Sequence, residues 1–325
     1  MKGINEQYST LLKKILNKGT WRSDPNRNKV YRLNLPFYNF SVDLRQGFPA
    51  ISTKKLFWKG VVGELLWFLN GDTNIKYLID NDINIWNQDA YRYYTKLFKE
   101  HNPQLFGTKL SYEEFIEVIY NSEDTWVNTG IPNYTFGDLG AIYGSQWTNW
   151  DGRQREGLEG INQISNLIKN LKDNELSSSH IVSSWNPSEI YDCAVPPCHW
   201  SFQVTSQGPY LDLIFNMRST DVFLGLPFNV ASYALLLSIL AELTGKLPRF
   251  LKFSGTNVHL YHNQLVAAKE QLKYNPSEYF SPSLQLPKIN SLQDVINSKI
   301  ENFILKDYNP SSFKPKVKML TYSTT

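Results

Sequence analysis

The run VPPCHW, Val195 to Trp200, sets Cys198 between two prolines and a histidine. A cysteine attacks as its thiolate, which forms near neutral pH only where positive charge or hydrogen-bond donors lower the thiol's pKa. His199 stands beside Cys198. A second run, MRSTDVFLGLPFN from Met217 to Asn229, brings Arg218, which the pattern places in an adjacent strand. Together these supply a nucleophile, an anion-binding arginine and, in Asn229, an amide that both donates and accepts and so can read one edge of a base. Taken alone, Cys198 also fits a small buried hydrophobe, and Asn229 a helix cap ahead of VASYALL. Glu64 falls inside the apolar run VVGELLWFLN. Burial there raises a carboxyl pKa and suits acid and base work through water, unless the group is tied to a buried partner.

Periodicity outlines the elements that must hold these groups. Ile4 to Leu16 has helical spacing and Val30 to Val42 alternates like a strand. Lys59 to Asn70 is apolar on nearly all sides, a buried helix ended at Gly71. Ile161 to Lys172 reads as an amphipathic helix and His180 to Trp185 as a strand. Trp200 to Ser219 reads as a hairpin-like pair turning at Gln207 to Pro209. Val230 to Thr244 is a long apolar core helix, entered from Pro227 and closed by Gly245. Residues 92–135, rich in Tyr, Asn, Lys and Glu, read as an insertion of short helices carrying little chemistry. No repeat, low-complexity tract or linker divides the chain, so the expectation is a single α+β domain over residues 1–325.

A chain of 325 residues buries most of its unfolded surface. Its formal charge of +3 comes from 33 basic and 30 acidic residues without long like-charge blocks, which argues against a nucleic-acid binder and leaves small anionic substrates open. The cysteines Cys193 and Cys198 lie too close in sequence for a framework of staples, and Cys193 reads as a bystander. The N-terminus has amphipathic spacing and no stretch reads as a membrane span, so no membrane partner and a cytoplasmic location are expected. No His, Cys and carboxylate grouping has metal-ligand spacing, and no metal is expected.

The runs VPPCHW, RSTDVFLGLPFNVASYALL, ELLWFLNGDTNI, FGDLGAIYGSQW and VSSWNP keep family order over nearly the whole chain, and together resemble the folate-dependent thymidylate synthase family, which includes pyrimidine nucleotide hydroxymethylases. The resemblance implies a twisted mixed sheet covered by helices on one face and dimerising through the other, with 5,10-methylenetetrahydrofolate as the one-carbon donor. Cys198 would attack carbon 6 of a pyrimidine ring and make carbon 5 nucleophilic. Glu64 would be the acid and base, Tyr143 would assist proton removal from carbon 5, and Asn229 would select uracil over cytosine. Arg218 and Ser219 would bind the anionic end, His259 and Tyr261 the sugar hydroxyl, with His199 as structural support beside the nucleophile. Asp221 would bond the pterin ring, while Trp86, Ile85, Gly225 and Phe228 would line the folate pocket. Without the resemblance, Tyr143 reads as a sheet aromatic and Trp86 as core packing.

The chain departs from the family at the phosphate. Of four arginines only Arg218 is clearly kept. The pair that crosses from the partner subunit falls on Ser178 and Ser179, and the loop arginine on Pro25, with Arg22 and Arg27 near. Charge-assisted contacts contribute about 1.5–3 kcal/mol each, so a substrate with less charge at that end, a nucleoside or modified nucleotide, is expected. The family's short apolar tail is replaced by KVKMLTYSTT, a polar lid that would admit water and yield a hydroxymethyl product as the alternative to methyl. The remaining alternative is a non-catalytic relative serving as a binding or regulatory protein.

Overall fold

The computed structural model describes residues 2–24, 30–122, 129–152, 159–317 and 320. Pro25, Arg27 and most of the tail KVKMLTYSTT lie outside the described residues. In chain order the elements are α1 (Ile4–Lys18), β1 (Thr20–Ser23), β2 (Tyr31–Asp43), α2 (Trp58–Leu69), α3 (Lys76–Asp80), α4 (Asn87–His101), α5 (Tyr112–Asn121), α6 (Tyr143–Thr148), α7 (Gln163–Asp173), β3 (Ile181–Ser183), β4 (His199–Gln207), β5 (Tyr210–Met217), β6 (Thr220–Asp221), α8 (Gly225–Thr244), β7 (Leu247–Tyr261), α9 (Leu265–Gln271), β8 (Ser283–Gln285), α10 (Leu292–Ile296) and β9 (Ile304–Lys306).

Seven strands form one mixed sheet in the order β1-β2-β7-β5-β4-β3, with β6 pairing to β7 as well. β7 runs antiparallel to β2 and parallel to both β5 and β6. Side chains along a strand alternate between faces, so paired residues form rows across the sheet. One such row, Val182, Phe202, Phe215, Phe253 and Phe40, is buried throughout. Above it lies α8, whose Tyr233 ring stacks on Phe215 at 4.4 Å and 9°. The neighbouring row on the opposite face is Ser183, Ser201, Asn216, Ser254 and Asn39, wholly polar. The structure is therefore the expected mixed sheet with helices, an α+β fold.

α8 is buried on nearly all sides because its sequence offers no polar face. Its 20 residues are long and apolar enough to cross a membrane, but 83% of its most apolar window is packed inside the protein. The expected start at Val230 is corrected. The helix begins at Gly225, and Pro227 sits in its first turn, where a missing N–H removes no helical bond. Asn229 therefore lies inside the helix and is not its cap. The far end closes as expected on Gly245, left-handed at φ 66°. Likewise the β4–β5 hairpin turns through Gly208, at φ 59°, and Pro209.

The chain divides into two compact units. The first takes in Met1–Leu65, Ile164–Ser183 and Cys198–Leu320 and contains the whole seven-stranded sheet; the second takes in Leu66–Gln163 and Ser184–Pro197. Residues 92–135 fall within the second unit. Its α4 and α5 pack through aromatic rings, Tyr94 on Phe115 at 5.2 Å and Phe136 at 5.4 Å, and α5 opens on a Ser111/Glu114 capping box. α4 already begins at Asn87, ahead of the expected boundary. Two other expectations shift. Ile161 pairs with Trp150 in a β-bridge, so α7 starts at Gln163, and the strand expected over 180–185 is only Ile181–Ser183.

Candidate active site

Cys198 is half-buried, at the residue before β4. The strand opens with a bulge between His199 and Ser201, which re-aims the chain beside the nucleophile. Arg218 and Ser219 occupy the two-residue gap between β5 and β6, so Arg218 follows a strand where the sequence placed it inside one. The gap frees the Arg218 N–H from the ladder, and it donates to the Cys198 carbonyl at 2.9 Å. Thr256 Oγ1 in turn donates to the Arg218 carbonyl at 3.2 Å. Main-chain bonds thus hold Cys198 and Arg218 together.

His199 is fully buried, and desolvation pushes its pKa down to about 3. The ring is neutral at ordinary pH and cannot act as the cationic neighbour of a thiolate. Its Nδ1 lies 2.8 Å from the Tyr233 hydroxyl. Burial, with the Glu64 carboxylate adding to it, raises the Tyr233 pKa well above the usual phenol value. Glu64 is itself buried in α2. Tyr233, in the VASYALL run of α8, thus bonds His199 and feels the charge of Glu64.

Asp221 stands where β6 leads into α8. Its Oδ1 accepts from the Phe223 N–H at 2.9 Å and the Leu224 N–H at 3.1 Å, which fixes the turn ahead of α8. Its Oδ2 accepts from Gln264 Nε2 at 2.8 Å, while Gln264 Oε1 takes the Tyr261 N–H at 2.9 Å. Gln264, which is buried, thus ties Asp221 to Tyr261. A Cβ built on Gly225 would meet only Asn229 Oδ1, at 3.6 Å, and Asp221 Cβ, at 3.7 Å. Phe228, on the same first turns of α8, is half-buried and approaches Gly60.

Asp221 pairs in register with His259 on β7. His259 is buried, and Nδ1 lies 2.7 Å from the Asn257 carbonyl, which fixes the proton on Nδ1. Burial lowers its pKa, so this ring too stays neutral. Tyr261 follows two residues on, its ring 4.8 Å from that of His259. Lys54 is a further buried group that the STKK run did not reveal. Its ammonium donates to the Phe223 carbonyl and lies 3.9 Å from the Phe223 ring centre. Desolvation pushes its pKa down to about 7, with Asp221 opposing.

The second unit holds Tyr143, Trp86 and Ile85. Tyr143 is buried and opens α6, a correction to the sheet position the residue alone suggested. Its ring packs on Phe68 at 4.8 Å, Trp86 at 6.3 Å and Trp147 at 6.4 Å. Gly144 permits this placement, because a Cβ there would stand 2.3 Å from the Asp72 carbonyl. Trp86 and Ile85 are half-buried just ahead of α4. Ser178 and Ser179, in the first unit, are exposed. The Ser178 carbonyl accepts from Gln203 Nε2 at 2.9 Å, and the Ser179 N–H donates to Ser177 Oγ at 3.1 Å. Among the described residues no group of three or more His, Cys, Asp or Glu is arranged to hold a metal ion.

A family model described as thymidylate synthase matches residues 6–321. The chain is 38% identical over 308 residues to a probable thymidylate synthase of Escherichia phage T5, covering 94% of this chain and 96% of that protein. The thymidylate synthase of Mesoplasma florum is 37% identical over 306 residues, covering 93% of this chain and 96% of its own. That of Listeria monocytogenes is 36% identical over 316 residues, with 94% and 96% covered. A match of this extent, on a mixed sheet that sets Cys198 against Arg218, places the chain in the thymidylate synthase family, whose members are methyltransferases.

Proposed function

We propose that this chain transfers a one-carbon unit, as methyl, from 5,10-methylenetetrahydrofolate to carbon 5 of a uracil-type nucleotide or nucleoside. The observation that carries this reading is the main-chain bond that sets the half-buried Cys198 next to Arg218. Addition of the Cys198 thiolate to carbon 6 moves the ring's electron pair toward the neighbouring carbonyl oxygen and makes carbon 5 nucleophilic. Asn229 reads the ring edge, and Arg218 with Ser219 binds the anionic end. His259 and Tyr261 take the sugar, Asp221, Gly225 and Phe228 the pterin and its surroundings. Glu64 moves protons through water. For Tyr143, Trp86 and Ile85, the roles of assisting proton removal and lining folate rest on the family resemblance alone. The folate supplies the one-carbon unit and, for a methyl product, the reducing hydride, leaving dihydrofolate. The chain works as one catalytic domain, as a cytoplasmic homodimer paired through the polar face of its sheet, with no nucleic acid or membrane as partner.

The test is tritium release from carbon 5 over a panel of uracil and cytosine nucleosides and nucleotides. Cys198→Ala is expected to abolish release while the protein stays folded; unchanged release would overturn the assignment. Ser178 and Ser179 support a substrate with reduced charge at its sugar end. Deoxyuridine is then expected to compete with deoxyuridine monophosphate, and tight binding of the monophosphate alone would refute that part. A methylated base with stoichiometric dihydrofolate is the expected product, and a hydroxymethyl base without it would replace methylation in the proposal.

A further inference from the structure

Asn34 lies on β2 directly opposite His259 on β7, and His259 lies opposite Asp221 on β6. The three side chains therefore share one row and one face of the sheet. Asn34 is 2% exposed and His259 1% exposed, yet Asn34 Oδ1 and His259 Nε2 have no hydrogen-bond partner among the described residues. Because His259 donates from Nδ1 to the Asn257 carbonyl, Nε2 carries a lone pair. Two buried acceptors thus stand side by side, on strands whose opposed Cβ atoms sit about 5 Å apart, and each costs stability while unmet. Arg32 and Tyr261 form the adjacent register pair.

We propose that Asn34 is a specificity-determining residue, which together with His259 receives a ring hydroxyl of the substrate's sugar. A hydroxyl seated between the two acceptors donates its single proton to them in a three-centre bond. A sugar without that hydroxyl leaves two buried acceptors unmet, so the site rejects it more strongly than one lost bond would imply. This rests on the proposed reading of the chain as an enzyme acting on a uracil nucleotide or nucleoside. It adds a residue on a different strand to the sugar contacts assigned to His259 and Tyr261.

The test compares binding of deoxyuridine and deoxyuridine monophosphate, each beside its dideoxy counterpart, by calorimetry. Wild type is expected to prefer the hydroxyl-bearing ligand at least tenfold. Asn34→Leu, of similar volume and without an acceptor, is expected to cut that preference about tenfold and leave affinity for the dideoxy ligand unchanged. Asn34→Asp, which keeps an acceptor in place near Arg32, is expected to restore the preference. A general loss of packing would weaken both ligands alike and leave the ratio unmoved. An unmoved ratio in Asn34→Leu overturns the inference, as does equal wild-type affinity for the two ligands. If wild type releases tritium from carbon 5 but the ratio does not move, the inference falls alone. If no uracil ligand binds and none reacts, it falls with the reading beneath it.

Discussion

At the scale of single residues, His199 and Lys54 are two buried bases, and burial moves both pKa values down. Unfolded, the His199 imidazole takes its proton near 6.5; folded, only near 3. Between those values the unfolded chain binds more protons, so stability falls as pH is lowered through the window. His199→Gln, which keeps a polar group for the Tyr233 hydroxyl, is expected to flatten that fall, and thermal melts across the window check it. Lys54 does the same at the other end. Its ordinary value is 10.5 and its folded value about 7, so stability rises with pH between them. Lys54→Met is expected to raise the melting temperature by a few degrees at neutral and acid pH, on the order of 1 kcal/mol, with the gain shrinking as pH rises through that window. Neither behaviour could be read from sequence. By sequence His199 is only the neighbour of Cys198, and nothing in the residues around Lys54 announces its burial. What decides both is the depth of the side chain, which depends on residues far away in the chain, Tyr233 for one and Phe223 for the other.

At the scale of elements, long periodic segments were legible and their ends less so. The apolar run of α8 and the alternation of β2 announce a buried helix and a strand, because each pattern has one packing solution. The start of α8 is less legible, since a proline such as Pro227 suits both the turn before a helix and the first turn of one, where it sits. The true start places Asn229 inside the helix, so the cap alternative for that residue falls away. The other end turned on Gly245, and its contribution can be isolated. A Cβ there would meet nothing within 4 Å, so Gly245→Ala introduces no clash and only the left-handed backbone penalty. The expected loss is about 1–2 kcal/mol. Urea denaturation with an unchanged slope and a lower midpoint is the signature, whereas a slope change would mean that the helix end unravels.

At the scale of the whole molecule, the two faces of the sheet pose different problems. The row Val182, Phe202, Phe215, Phe253 and Phe40 is satisfied within the chain by α8. The row Ser183, Ser201, Asn216, Ser254 and Asn39 is polar, with Asn39 exposed and Ser254 half-buried. Phe37, opposite Thr256 on the same face, is 69% exposed. Small polar side chains make a flat surface that a second copy can approach closely, and one bulky aromatic beside them gives that surface an apolar anchor. If two copies pair here about a two-fold axis, each substitution appears twice in the interface. Ser254→Arg would then set two like charges near the axis, and Phe37→Asp would remove both anchors. Light scattering is expected to give twice the chain mass for the wild type and the chain mass for either variant, each keeping its circular-dichroism spectrum because neither side chain belongs to the α8-covered core. A wild type of single-chain mass would refute pairing, and a dimer that survives both substitutions would place its interface elsewhere than on this face.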